Sequence, residues 1–212
     1  MITISAFKWV PEFAHGQVRD LRVRWALEEA GLPYETRLLS FGEHKRPEHR
    51  AFQPFGQVPA IQDGPLVLFE SGAIVLHVAR QSSVLLPADP VASERAIACV
   101  FAALNGVEAL VAQLAEIDLF HAEKEWARLR RPAVEASLVA RLVDLASWMA
   151  GRDWLEDRFT VGDLMMAAVL RILRQTDLVT GHAVLGPYLA RCESRPAFAK
   201  ALADHMAAHE AT

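Results

Sequence analysis

The chain has 212 residues, 52% of them hydrophobic and 23% charged, with a formal net charge of −4 from 22 basic and 26 acidic residues. This is the composition of a globular protein large enough for one domain or two small ones, and with no basic cluster it argues against nucleic acid and anionic membranes as partners. Two cysteines, Cys99 and Cys192, lie far apart in helical contexts, which is neither a disulfide framework nor a metal pattern, so no metal is expected.

The N-terminus, MITISAFKW, carries no basic segment followed by a long apolar one, so a signal peptide is not expected and a reducing cytoplasm is. Ile2–Phe7 alternates as a strand. A loop follows over 8–17, then a helix over 18–30, with Leu21, Val23, Trp25, Leu27 and Ala30 able to cover one broad face. Gly31 stands where a helix C′ glycine belongs. Tyr34–Leu39 reads as a second strand, and a short helix and loop occupy 47–53. Asp63 and Gly64 between two apolar runs, 60–62 and Leu66–Phe69, signal a hairpin. A helix over 71–81 completes the βαβ–ββα order of a thioredoxin-like domain, whose parallel pair needs a right-handed crossover.

Residues 83–91, SVLLPADPV, hold two prolines and no periodic pattern, and read as a linker. The domain boundaries expected are therefore 1–83, linker 84–92, and 93–212. Everything after the linker reads as helix. An Ala-rich helix covers 93–115, and its uncharged run, 96–107, is shorter than the roughly 18 residues of a membrane span. A second covers 126–150, with Pro132 as a kink or fresh start. Thr160 and Asp163 form a capping box before a buried helix over 164–173. Closing helices occupy 182–206, broken at SRPAF, 194–198.

The chemistry gathers in residues 54–73, PFGQVPAIQDGPLVLFESGA. Proline lacks an N–H and drives the residue before it to extended geometry. Val58 is thus left with backbone groups that can pair with a ligand as an added strand would. Cis bonds make up only about 5–6% of X–Pro bonds, so the residues alone favour a trans Val58-Pro59 peptide. Glu70 and Ser71 open the next helix. Ser71 suits a cap, the free amides there suit a carboxylate, and Glu70 suits an ammonium. A plain capped helix fits these two residues equally well.

GEHKRPEH at 42–49, QPFGQVP at 53–59 and LFESGAI at 68–74 together resemble the glutathione-binding half of a cytosolic glutathione transferase, the first block being closest to the phi class. The resemblance implies a thioredoxin-like domain followed by an all-helical one, and a homodimer. It implies glutathione as co-substrate, and attack of its thiolate on a small hydrophobic electrophile or a disulfide. Glutathione-dependent disulfide reduction and non-catalytic glutathione binding are the alternative readings.

By the same resemblance His44 and Lys45 face the glycyl carboxylate and Gln57 bonds nearby. Val58, before Pro59, pairs with the cysteinyl backbone, and Glu70 and Ser71 hold the γ-glutamyl end. The thiol-activating position departs from the family: no Ser, Thr, Cys or Tyr lies between Ala6 and Pro33. The alignment puts Gln17 where phi enzymes carry Ser and Arg19 where beta-class enzymes carry Cys. Arg19, whose fixed positive charge favours thiolate, leads the candidates, with Gln17, Trp9 and His15 behind it. Phe7, Trp9, Phe13, Phe101, Leu104 and Phe120 are candidates for an apolar wall at an electrophile site between the domains.

Overall fold

The central strand β1 (Ile2–Phe7) is buried along most of its length and orders the sheet around it. In the computed structural model, which describes residues 1–210, β2 (Tyr34–Leu39) pairs with β1 in parallel. β3 (Ala60–Asp63) pairs antiparallel with β1, and β4 (Leu66–Phe69) antiparallel with β3, giving the order β2-β1-β3-β4. Gly64 takes φ +57° in the hairpin turn, as the Asp63 and Gly64 signal requires.

Helices α1 (Asp20–Ala30), α2 (Pro47–Arg50), α3 (Ser71–Ala79) and α9 (Pro196–Glu210) belong to the same unit as this sheet. α1 touches β1, α3 and α9 and is buried on every side from Asp20 to Leu27. The apolar face expected from its periodicity is present, but Asp20, Arg22 and Arg24 are buried with it. Gly31 ends it at φ +65°.

By packing, this first unit is Met1–Ala88 together with the residues from Ser194 onward. The division expected from sequence placed all of 93–212 in one helical domain. The difference lies in α9, whose Phe198 ring meets Trp25 of α1 at 4.8 Å and whose Lys200 bonds Glu28, with Arg195 just before the helix bonding Glu29. Val58-Pro59 is cis, against the trans form the residues alone favour. The trans preference of an X–Pro bond is only about 0.5–1 kcal/mol, so the surrounding fold decides it.

The second unit is Asp89–Glu193. α4 (Pro90–Phe101), a π-helical stretch (Ala102–Glu108) and α5 (Ala109–Phe120) make one 31-residue helical run. It begins earlier than expected, because Pro90 sits at a first-turn position where its missing N–H costs nothing, and Asp89 caps it through Ala92 N at 2.8 Å. By length and composition the run could cross a membrane. Its buried side chains, among them Ala96, Val100, Val107 and Leu114, belong to a face packed on α6 and α7.

α6 (Glu125–Trp148) continues through Pro132 without a break. α7 (Val161–Leu170) is buried and opens with the expected capping box, and α8 (Leu185–Glu193) follows it. Cys99 and Cys192 are buried free thiols, and burial pushes the Cys99 thiol up to about 12.

Candidate functional site

Strand direction gathers the expected site residues. The C-terminal ends of β1 and β2 lie together because the pair is parallel. The antiparallel pairings bring the start of β3 and the end of β4 to the same edge, with Ala60 opposite Phe69. Val58-Pro59 therefore lies one step beyond Ala60, and Glu70 one step beyond Phe69, at one end of one sheet. Phe55 meets Phe69 at 6.1 Å and links the two segments from outside.

The β1–β3 ladder stops at Ile4 and Ile61. Past it, the buried Ser5 hydroxyl accepts the Ala60 N–H at 2.8 Å. Among the described residues no intramolecular hydrogen bond uses the Val58 backbone. An edge whose N–H and C=O stay unpaired is what strand-like addition of a peptide needs.

Gln57 is braced on three sides. Its N–H donates to Gln53 Oε1 at 3.3 Å, its carbonyl lies 2.7 Å from His49 Nε2, and its own side chain lies 3.5 Å from Gln53 Nε2. Lys45 is exposed and donates through Nζ to the Gly56 carbonyl at 2.8 Å and the Phe55 carbonyl at 3.4 Å. Gly56 has φ +60°, and a Cβ there would stand 2.7 Å from the His44 carbonyl, so only glycine lets the two loops close on each other.

The buried His44 ring lies edge-on to Phe7 at 5.0 Å and Phe41 at 5.7 Å. Its Nδ1 is buried without a hydrogen-bond partner among the described residues. Burial, then the charges of Lys45 and His49, hold this imidazole below the usual histidine range. At neutral pH it is an uncharged donor or acceptor, and the fixed positive charges of this corner are those of Lys45 and Arg50, whose Nε donates to the Lys45 carbonyl at 3.1 Å.

Glu70 is exposed at the position before α3, with φ +70°, a left-handed conformation that few side chains other than glycine adopt. Its side chain makes no cap. Ser71 is the first residue of the helix rather than its cap, and its buried hydroxyl accepts from Arg22 Nη1 of α1 at 3.3 Å. The Ser71 and Gly72 amides have no acceptor among the described residues. The strand-to-helix corner thus offers a carboxylate, a hydroxyl and unpaired amides together.

The segment between β1 and α1 starts at the same sheet end. Arg19 stands exposed at the N-terminal end of α1, and Gln17 is half-buried just before it. Trp9 is 54% exposed and Phe13 lies open beside a short 3-10 turn, Glu12–Ala14. His15 is drawn to α9, its ring stacked on His209 at 5.6 Å. In the helical unit, Phe101 and Phe120 are exposed on α4 and α5. Among the described residues no group of three or more His, Cys, Asp or Glu is arranged to hold a metal ion.

Sequence reasoning missed the supports of this site. Gln53 and His49 brace Gln57, and Arg22 holds Ser71. Two of these were within local reach, since Gln53 stands four residues and His49 eight residues before Gln57, while Arg22 and Ser71 are 49 apart.

A family profile described as "Glutathione S-transferase, N-terminal domain" matches residues 13–80. The chain is 55% identical to "Glutathione S-transferase 4" of Zea mays over 62 residues, 28% of each chain, so the match spans less than a third of that relative. It is 30% identical to "Glutathione S-transferase 1" of Schizosaccharomyces pombe over 161 residues, 71% of this chain and 69% of that one. A glutathione transferase from Burkholderia graminis, solved with two glutathione molecules bound per subunit, superposes with a TM-score of 0.82. That structure is 26% identical, with 95% of this chain and 87% of the other covered.

Proposed function

The chain belongs to the glutathione S-transferase family, and we propose that it binds glutathione at this end of the sheet and transfers the thiolate to small apolar electrophiles. The observation that carries the reading is the convergence of Lys45, Gln57, the cis Val58-Pro59 step, Glu70 and Ser71 on one sheet end. The glycyl carboxylate would meet Lys45, whose ammonium keeps a donor beyond its two backbone carbonyls, with His44 as a neutral neighbour and Gln57 beside it. The cysteinyl backbone would pair with Val58. The γ-glutamyl ammonium would meet Glu70, and its carboxylate Ser71 and the first amides of α3.

That pose sends the thiol toward the β1–α1 segment. Thiolate is the nucleophile, so activation means stabilising negative sulfur. Arg19 would do so by charge, and Gln17 and Trp9 by hydrogen bonds. The sulfur then bonds the electrophilic carbon as the leaving group departs with its electron pair. A cytoplasmic homodimer acting in detoxification is the wider reading we propose.

The test is turnover of glutathione with 1-chloro-2,4-dinitrobenzene, together with thiolate ultraviolet absorbance of the glutathione complex across pH. Conjugation and a bound thiol pKa below that of free glutathione are expected. Reduction of hydroxyethyl disulfide without conjugation would replace transfer by disulfide reduction. Binding with an unchanged thiol pKa and neither turnover would leave a carrier. An Arg19→Ala protein with the same thiol pKa and rate would remove Arg19 from the mechanism.

A further inference from the structure

A chain of ionisable side chains that the proposed chemistry does not use runs behind the β1–α1 segment. The His15 ring lies nearly parallel to that of His209, at 9° and 5.6 Å, and His15 Nε2 lies 3.2 Å from the Val10 carbonyl. Through the His15 contact, one side chain of α9 is thus set against residues 8–15. His209 Nε2 lies 3.3 Å from His205 Nε2, and His205 Nδ1 lies 3.2 Å from Asp20 Oδ2. The same Asp20 oxygen accepts from Arg24 Nε at 2.9 Å. Asp20 and His205 are wholly buried, and His209 nearly so.

Two ring nitrogens at hydrogen-bond distance share one proton, whichever ring carries it. One added proton makes one ring of the pair an imidazolium, edge to face with the other ring at 4.7 Å in a buried site beside the stacked His15. The nearby Asp20 is already paired with the Arg24 guanidinium at 2.9 Å.

We propose that Asp20, His205 and His209 are positioning residues that hold segment 8–19, and with it Trp9, Gln17 and Arg19, at the glutathione site. Uptake of a proton from solvent by His209 releases the segment. The consequence for catalysis rests on the glutathione reading above; the hold on the segment does not.

The groups facing His209 are His15 and the Lys8 backbone from the loop, Asp20 from α1, and His205 on its own helix; Arg24 lies behind them on Asp20. Burial, then the neighbouring His205, keep the His209 ring below its ordinary value of 6.5. An unfolded or released histidine accepts its proton near that value while the docked one resists. The docked state is therefore intact above about pH 6.5 and weakens as pH falls below it.

Hydrogen exchange of the whole chain, corrected for intrinsic rates, tests this without glutathione. Between about pH 7.5 and about pH 5.5 the amides of 8–19 should lose about tenfold in protection, while those of β3 and α3 keep theirs. His209→Gln keeps a hydrogen-bonding side chain but no titration, and its 8–19 amides should change less than about twofold over that range. If conjugation occurs, the acid limb of its kcat/KM profile should flatten in this variant and not in His121→Gln.

Equal pH dependence in wild type and variant, or none in wild type, overturns the proposal. Should the variant fail to fold, imidazole NMR of the wild type decides. His209 titrating together with the loss of protection supports the latch, and a His209 titration independent of that loss overturns it. A working latch in a protein that never conjugates glutathione sinks only the reading of activity.

Discussion

Helices α1 and α7 are both buried over most of their length, yet they solve opposite problems. α7 is apolar apart from one acid at its start, and that acid is satisfied by its own neighbourhood. Asp163 accepts from Thr160 N at 2.9 Å, Leu155 N at 2.9 Å and Tyr188 O–H at 3.1 Å. All are neutral donors, so burial wins and the carboxyl is raised above its ordinary 3.8. α1 instead buries Asp20, Arg22 and Arg24, because the sheet, α3 and α9 cover it on all sides. Burial pushes Asp20 up as well, but the hydrogen bond and charge of His205 and the charge of Arg24 outweigh it and hold the carboxyl below 3.8. A buried acid among neutral donors serves architecture. A buried acid among cations ties together segments far apart in sequence.

The sharpest way to break this comparison is at α7. Asp163→Ala takes the acceptor from four buried donors, the Thr160 hydroxyl among them, and should cost about 4 kcal/mol, read from the urea midpoint at constant m-value. A loss under about 1 kcal/mol would mean that the box is not what holds the helix. Arg24→Met comes next, since it leaves Asp20 with His205 alone and should cost about 3 kcal/mol. Adding Asp20→Leu to it should recover part of that loss, because the uncompensated charge is gone. Two losses that simply add would deny the pair its coupling.

The smallest effect is in acid. The stability that Asp20 contributes is present above about 3.8 and disappears as pH falls through its lower folded value. Asp163 has the reverse sign, since its folded state holds the proton more tightly, and stability from that site grows as pH falls toward 3.8. Urea unfolding between about pH 5 and about pH 3 should therefore be flatter in Asp20→Asn than in wild type and steeper in Asp163→Asn. Identical slopes in all three proteins would remove the distinction between the two acids.

Legibility follows the same division. The strands, the hairpin at Gly64, the stop at Gly31 and the capping box at Thr160 depend on residues within one turn of each other, and sequence spacing exposes them. The glutathione-site motifs were readable because they are contiguous blocks. The supports Gln53 and His49 sit inside those blocks, whereas Arg22 finds Ser71 across 49 residues and His205 finds Asp20 across 185. Gly162 is similar: it looks like any helix residue, but a Cβ there would stand 2.4 Å from Cys99 Cβ. Pro90 misled in the other direction, since a proline reads as a breaker and here begins a helix.

The element order, the thioredoxin-like start, the helical remainder and the three blocks that resemble a glutathione site follow from residue order alone. Each rests on periodicity, turn chemistry or short motifs, which act over a few residues. Long-range packing set the cis form of Val58-Pro59, the left-handed Glu70 and the packing of α9 with the first unit. It also decided that His15, a candidate at the sulfur when read from sequence, stacks on a histidine of α9. These outcomes depend on which groups burial brings together, and a buried charge must find its partner wherever the fold puts one.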